Sequence, residues 1–374
     1  MSKAMDDWAK KKFGRVITEE ELIRRCDRAH PYRIFDPGEW IEDEKIEEVL
    51  QGVIDIHIHG APMGGKMKGR QDMVDICIAA SEAGMKALVF KDHYTMTSNA
   101  ATIVNKLLKR EAEHRKKQGI IQDIIHNLSN GRIEKAEDFV PVEVYGGITL
   151  NHTVGGISAN TVKEALNYGC KEVWLPSMDA MHQMQAQECP DWKERGICVT
   201  KGGIGGEDLT DDMIAVLDVM AEYNDNTKGD VVSLSTCHVS NEEKVAILKY
   251  VKKRGMNVKV LMDHVTQEMT MVTPEEAKEM IDLGGYLEFA ECSIIPWAGM
   301  QDWIVAFDYS IGLIKELIKE KGPDHIVLIT DAGQCYHPPI PGWKIFLKTL
   351  MAHGVSEDIV NVMAKEVPAS IIYA

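Results

Sequence analysis

The chain has 374 residues, 45% of them apolar and 27% charged, with a formal net charge of −16. Such a composition belongs to a globular chain able to bury a sizeable core, and an acidic balance without a basic stripe excludes a nucleic-acid partner. The opening MSKAMDDWAKKKFGR lacks an apolar signal core, no apolar run is long enough to cross a bilayer, and the eight cysteines form no C-x-x-C pair; the expectation is a cytoplasmic protein with reduced thiols and no membrane partner.

Residues 1–50 are charged and helix-prone. Thr18-x-x-Glu21 reads as a capping box, and Pro31 and Pro37 break the segment later. This stretch is expected to be an N-terminal extension, packed on a core or on a neighbouring subunit, ahead of one domain over 51–374. From Val53 the pattern alternates strand and helix. Strand candidates fall at 53–58, 86–92, 143–150, 171–176, 231–237, 257–263, 285–291 and 325–330. The helical segment 71–83 puts Met73, Val74, Ile76, Cys77 and Ala80 on one face and stops at Gly84. Ser158 starts the next helix and Gly169 ends it. Ser240-x-x-Glu243 caps a helix carrying Val245, Leu248 and Val251 and closing at Gly255. Thr273-Pro274-Glu-Glu276 caps another that ends at Gly284. Eight alternations predict a (β/α)8 TIM-type barrel rather than a doubly wound open sheet.

Two connections exceed what a barrel needs, after strands two and four. Residues 98–138 hold a helix with Ile103, Val104, Leu107 and Leu108 inward, then a lysine- and arginine-rich stretch. Residues 177–209 hold a methionine- and glutamine-rich piece, Cys189-Pro190 and Lys201-Gly-Gly-Ile-Gly-Gly206. Either loop is placed to form a lid. The glycine cluster has neither dinucleotide-binding nor phosphate-loop spacing, which argues against a nucleotide.

Chemistry gathers at the carboxyl ends of the strands. Val53-Ile-Asp-Ile-His57-Ile-His59-Gly60 sets two imidazoles on one face of strand one. Strand two ends at Lys91-Asp-His93, strand three at Asn151-His152, strand four at Ser177-Met-Asp179, strand five at Cys237-His238, strand six at Asp263-His264 and strand eight at Thr330-Asp331. A histidine at one strand end is ordinary. Repeated around a barrel, such ends make a metal site. Imidazole and carboxylate donors suit one or two divalent ions, zinc first and manganese, iron or cobalt next. Such an ion acidifies water and polarises a carbonyl, and Asp331 is suited both to ligate it and to accept a proton.

His57-x-His59, His238, His264 and Asp331 resemble, in kind and order, the motif of the amidohydrolase superfamily. Phe-Lys91-Asp-His93, Leu-Asn151-His152-x-Val-Gly-Gly156 and Thr-Asp331-x-Gly333-Gln334 look like a largely uncharacterised branch of it, and Glu366-Val-Pro-Ala-Ser-Ile-Ile resembles the ending of such chains. The resemblance covers residues 51–374. It implies that His57, His59 and Asp331 bind the more buried metal and that His238 and His264 bind a second. Members with two metals usually bridge them with a carboxylated lysine or a glutamate on strand four, which Glu172-Val-Trp-Leu-Pro-Ser177 does not end with. Lys91 is the substitute, as a carbamylated bridge or as an ammonium facing a substrate carboxylate or oxyanion. His93, Asn151, His152 and Arg70 are candidates for substrate binding. Lys66 and Lys68 read as a solvated basic loop, and at most one of Glu288 and Glu291 faces the pocket. The expected function is metal-dependent hydrolysis of an amide, cyclic amide or lactone in a small molecule, with Arg70 or a loop lysine suited to an anionic group on it. The alternatives are a decarboxylase or lyase on the same scaffold, and a non-catalytic binding barrel. A homo-oligomer is expected.

Overall fold

The computed structural model describes residues 38–63, 69–129, 138–297 and 306–373. Eight strands form one sheet in sequence order, every neighbouring pair parallel: β1 (Ile54–Ile58), β2 (Ala87–Phe90), β3 (Glu143–Thr149), β4 (Cys170–Trp174), β5 (Ser233–Ser235), β6 (Val260–Met262), β7 (Tyr286–Ala290) and β8 (Ile326–Ile329). The first and last strands meet at their carboxyl ends. Asp331 N–H donates to His57 C=O at 3.0 Å, and His59 N–H donates to Ala332 C=O at 2.8 Å. The result is a nearly closed (β/α)8 barrel with helices between the strands, and the doubly wound alternative is excluded. Thr18, Glu21, Pro31, Pro37, Lys66 and Lys68 lie outside the described residues.

The helices begin and end where local chemistry asks. Both capping boxes are formed, Ser240 with Glu243 and Thr273 with Glu276, and Ser158 caps Ala159–Asn167. Met73, Ile76, Cys77 and Ala80 are buried on the helix Met73–Glu82, while Val74 is only partly buried. The helix Asp43–Leu50 turns Ile46, Val49 and Leu50 into the layer between barrel and helices. One correction concerns the connection after β2. Among the described residues it contains one helix, Ser98–Leu128, whose buried face is Ser98, Ala101, Val104 and Leu108; Ile103 and Leu107 are 62% and 39% exposed. A sequence pair at i and i+1 straddles a helix face, so only one of each pair turned inward.

Inside the barrel the floor is apolar and the upper layers are polar. Ile54, Ile56, Ala87, Val89, Leu261, Val327 and Ile329 pack in the lumen with Val367, Ile371 and Ile372 from the C-terminal helix Val367–Ile372. Gly147 on β3 is required here, because a Cβ would sit 2.4 Å from the Trp174 ring and 2.1 Å from the Glu172 carbonyl oxygen. β1 is anchored by Asp55, which leaves the lumen to accept Trp343 Nε1–H at 2.8 Å and Thr330 O–H at 2.5 Å. The β1–β2 register shifts between Asp55 and Ile58. Ile54 and Ile56 therefore join the lumen cluster, yet His57 also reaches groups on strands across it.

Lys244, on the helix Asn241–Arg254, is fully buried, and its ammonium donates to Asn241 Oδ1 at 3.2 Å. Burial, against the pull of Asp263 and other anions, lowers its pKa to about 8, a cost of about 3 kcal/mol at neutral pH. Below pH 8 the folded and unfolded chains both carry the charge and the cost is fully present. Between about 8 and the unfolded value near 10.4 the folded chain binds fewer protons, so stability rises with pH. Lys244→Met keeps the packing and removes the charge. It is expected to stabilise the protein by about 1–2 kcal/mol at pH 7 and to flatten that rise; urea unfolding at pH 7 and 9.5 measures both. A variant less stable at pH 7 would show that the ammonium is compensated.

Candidate metal centre

At the carboxyl mouth the structure gathers His57, His59, Lys91, His93, His238, His264 and Asp331, from strand ends one, two, five, six and eight. All seven are buried or nearly so. His59 Nε2 lies 3.0 Å and His57 Nε2 3.6 Å from Asp331 Oδ1, and the three donor atoms fall within 4.8 Å of one another. Four donors at 2.0–2.1 Å around a tetrahedral ion stand about 3.3 Å apart, so this spacing fits a transition metal. Neighbouring ring centroids are 5.9 Å apart for His57 and His59, 5.0 Å for His59 and His93, 6.3 Å for His93 and His238, and 5.1 Å for His238 and His264.

Backbone geometry aims these groups. Cys237, His264 and Asp331 take positive φ values of 50°, 32° and 50°, bending the chain at the tops of β5, β6 and β8. Gly333 (φ +84°) lets the loop after β8 lie on β1, since a Cβ there would fall 1.7 Å from the His59 carbonyl oxygen. Arg70 reinforces that contact, donating to the Gly333 carbonyl at 2.9 Å and to Gln334 Oε1 at 2.7 Å.

Charge is unevenly shared. Burial lowers the pKa of all five imidazoles, His264 to about 4, so each is neutral near pH 7 with a lone pair to offer. Burial would raise Asp331, but His57, His59 and His264 hold it well below the usual range. Lys91 Nζ lies 3.0 Å from His57 Nε2, 3.1 Å from Cys237 Sγ and 3.6 Å from Asp263 Oδ2. Burial alone would discharge it, yet Cys237, Asp263 and Asp331 outweigh burial and keep its pKa above normal. Burial pushes the Cys237 thiol up to about 12, so near pH 7 the two aspartates are the counter-charges that matter.

A second group lies deeper, and the sequence did not single it out. His57 Nδ1 is 3.0 Å from Glu288 Oε2 and 3.7 Å from Asp263 Oδ2. One imidazole does not give both nitrogens to separate ions and stay neutral. The consistent arrangement has Nδ1–H donating to Glu288, which fixes the tautomer and leaves Nε2 as the ligand atom. Around it, both Asp263 oxygens, Glu288 Oε1, Glu172 Oε2 and Trp174 Nε1 have no hydrogen-bond partner. Burial raises the pKa of Glu172 and Glu288 well above the usual range, with Asp263 adding to the effect on each. Burial beside Asp263 thus disfavours ionising either of these two acids.

Three predicted substrate contacts take other positions. Asn151 is buried, and its amide donates to His93 C=O and Ser177 Oγ while accepting from the Ser177 and Asp179 N–H groups. His152 is exposed, with Nε2 2.7 Å from the Arg195 carbonyl. Arg70 is spent on the β8 loop. None of the three lines the cavity over the histidines, whereas His93 does, its Nδ1 2.8 Å from Ser177 Oγ. Glu288 faces the lumen and Glu291 does not. Glu291 Oε2 meets His337 Nε2 at 2.6 Å, and that imidazole stacks on Trp297.

The cavity measures about 180 Å³. Its floor is Lys91, His93, His238, His264 and Asp331, and Gln183, Gln187, Gln267 and Gln334 stand in its walls with Met178 and Met269. The glutamines come from the loops after β4, β6 and β8, and His182 Nε2, 3.0 Å from Met269 C=O, ties the first two loops together. The connection after β2 lends Lys91 and His93 at its start, and among described residues 98–138 add nothing to the lining.

Solved structures share this architecture. An amidohydrolase from Pseudomonas aeruginosa superposes with a TM-score of 0.53 at 14% identity, covering 89% of this chain and 98% of that one. The probable dipeptidase PvdM from Pseudomonas aeruginosa gives 0.51 at 9%, covering 88% and 97%. A weak promiscuous lactonase template engineered for organophosphate hydrolysis gives 0.50 at 11%, covering 89% and 98%. Identities this low establish a common fold. No curated protein matches the chain. No helix among the described residues is long and apolar enough to cross a membrane. A family model spans residues 52–288, from the first barrel strand into the seventh. The chain belongs to the family of unknown function DUF6282.

Proposed function

We propose that the protein is a metal-dependent hydrolase acting on the carbonyl of a small amide, cyclic amide or lactone. The observation that carries this reading is the Asp331 carboxylate set 3.0 and 3.6 Å from two neutral imidazoles at the mouth of a barrel. His57, His59 and Asp331 would hold one divalent ion, zinc first, and His238 and His264 a second. Such an ion supplies Lewis acidity, polarising a carbonyl and acidifying water. Asp331 Oδ2 takes the proton from the attacking water and passes it to the leaving group. Lys91 brings positive charge to the floor, where a developing oxyanion is best stabilised. His93, braced by Ser177 and by Asn151 through its carbonyl, orients the substrate beside His59 and His238.

The walls suggest what enters. Gln183 and Gln267 are nearly buried, and each has an amide oxygen without a partner. Neutral amides and thioethers favour a compact, uncharged molecule carrying N–H or O–H groups, since an unmet acceptor penalises ligands that lack them. A cavity of about 180 Å³ is below drug-sized pockets and admits roughly ten non-hydrogen atoms. In this reading the protein is cytoplasmic and a homo-oligomer.

The test is a metal analysis of the purified protein joined to an assay panel of five- and six-membered lactams, lactones, N-acyl amino acids and carboxylated aromatics. Expected are one or two ions per chain, turnover of neutral ring substrates, loss of activity with a chelator and recovery with zinc or manganese. Release of carbon dioxide from a carboxylated aromatic, with one ion per chain and no hydrolysis, would replace this reading with decarboxylation.

A further inference from the structure

The helix Ser98–Leu128 is 31 residues long and buries side chains against the barrel only in its first third, Arg115 adding an ion pair to Glu82 at 2.9 Å. Its buried residues are Ser98, Ala101, Val104 and Leu108, and from 109 to 128 none is buried. Yet Ile120, Ile121, Ile124, Ile125 and Leu128 are exposed by 46–80%. At about 100° per residue these five fall within roughly 140° of arc, opposite the face that packs on the barrel, and Ile103 and Leu107 continue the same line. Seven of the fourteen large apolar side chains exposed among the described residues sit on this one helix. A helical end in water with no apolar packing is marginal, and a patch of this density marks a contact surface.

We propose that this stripe is the surface on which two copies of the chain associate, the helices pairing antiparallel about a twofold axis near Ile124. The stripe is self-complementary in that orientation. Ile124 faces its own counterpart, and Ile120 faces Leu128. Lys116 and Lys117, one turn before the stripe, come to lie beside the C-terminal carbonyls of the other helix, where positive charge is favoured. The five side chains offer on the order of 500 Å² per copy, so the pair buries roughly 1,000 Å², the lower bound for a specific interface. A closed, isologous contact uses up the stripe in both copies and leaves nothing for further growth. It also leaves both barrel mouths free, because the paired segment contributes nothing to the cavity lining.

The experiment is light scattering and sedimentation velocity of the full chain across a dilution series, with I121E/I124E and with Ile345→Glu, an exposed apolar position on another helix, as control. The unmodified protein and the control are expected to be dimeric at micromolar concentration. The double variant is expected to dissociate at least a hundredfold more readily while keeping its melting temperature and metal content. Ile124→Cys should form a covalent dimer on mild oxidation where the unmodified protein does not. A monomer at every concentration overturns the proposal, as does a dimer indifferent to I121E/I124E. So does a monomer that sediments with anionic lipid vesicles only when the stripe is intact.

Discussion

Asp331→Asn is expected to lower turnover by about a thousandfold or more while the protein still folds. The substitution is mild in shape. Asparagine is among the few residues that accept the left-handed φ of 50° found here, and the N–H bond to the His57 carbonyl is unaffected. What changes is charge. The carboxylate is the acidic group beside the Nε2 atoms of His57 and His59, and its pKa is lowered well below the usual range despite burial. An amide at this position ligates weakly, accepts no proton and takes the negative charge away from beside the two Nε2 atoms. Two readouts separate its roles. Loss of turnover with the ions retained assigns Asp331 to proton transfer, whereas loss of both makes it chiefly a ligand. A well-folded variant with undiminished turnover would remove it from the mechanism.

The barrel was legible because its signals are local. Five helix starts are announced by a side chain that bonds the first turn, Asp72, Ser158, Thr210, Ser240 and Thr273, and the strands by short apolar runs. The ligand ends were legible for the same reason, since a polar side chain directly after a buried strand has few reasons to be there. What escaped the sequence depends on tertiary placement. Glu172, Asp263 and Glu288 sit far apart in sequence in apolar runs, and only ring closure reveals that they share one lumen under His57. Alternation along β1 places His57 and His59 together correctly. It does not foresee the register shift that lets Ile54, Ile56 and both histidines point into the same space.

Asn151 shows the opposite limit. Its position after a strand reads as a substrate contact, but four hydrogen bonds to the β2 and β4 loops use its amide fully. Residue type and spacing identify a polar group at the mouth without saying whether it faces ligand or backbone. Arg70 is the same case, its guanidinium holding the Gly333 and Gln334 loop over β1. Ile103 and Leu107 are a third. They satisfy helical spacing equally well for the inner face and for the outer stripe, and only the docked helix chooses.

Lys91→Met is expected to cost at least a hundredfold in turnover, and the unmodified protein is expected to work without bicarbonate. A carbamylated bridge requires a neutral amine at the moment carbon dioxide adds, and Cys237, Asp263 and Asp331 raise the Lys91 pKa against burial, which favours the ammonium. Its nitrogen already donates toward His57 Nε2 and contacts Cys237 Sγ at 3.1 Å, a position suited to balancing buried carboxylates and stabilising an oxyanion. Methionine keeps the length of the stem and removes the charge, leaving Asp263 without its cation. Metal content should then hold or rise, because one positive charge has left the site. Protein exchanged with isotopically labelled bicarbonate should give no carbamate resonance, and arginine at this position should restore part of the activity. A carbamate signal, or a metal content in Lys91→Met that falls by half, would make Lys91 the bridge between two ions.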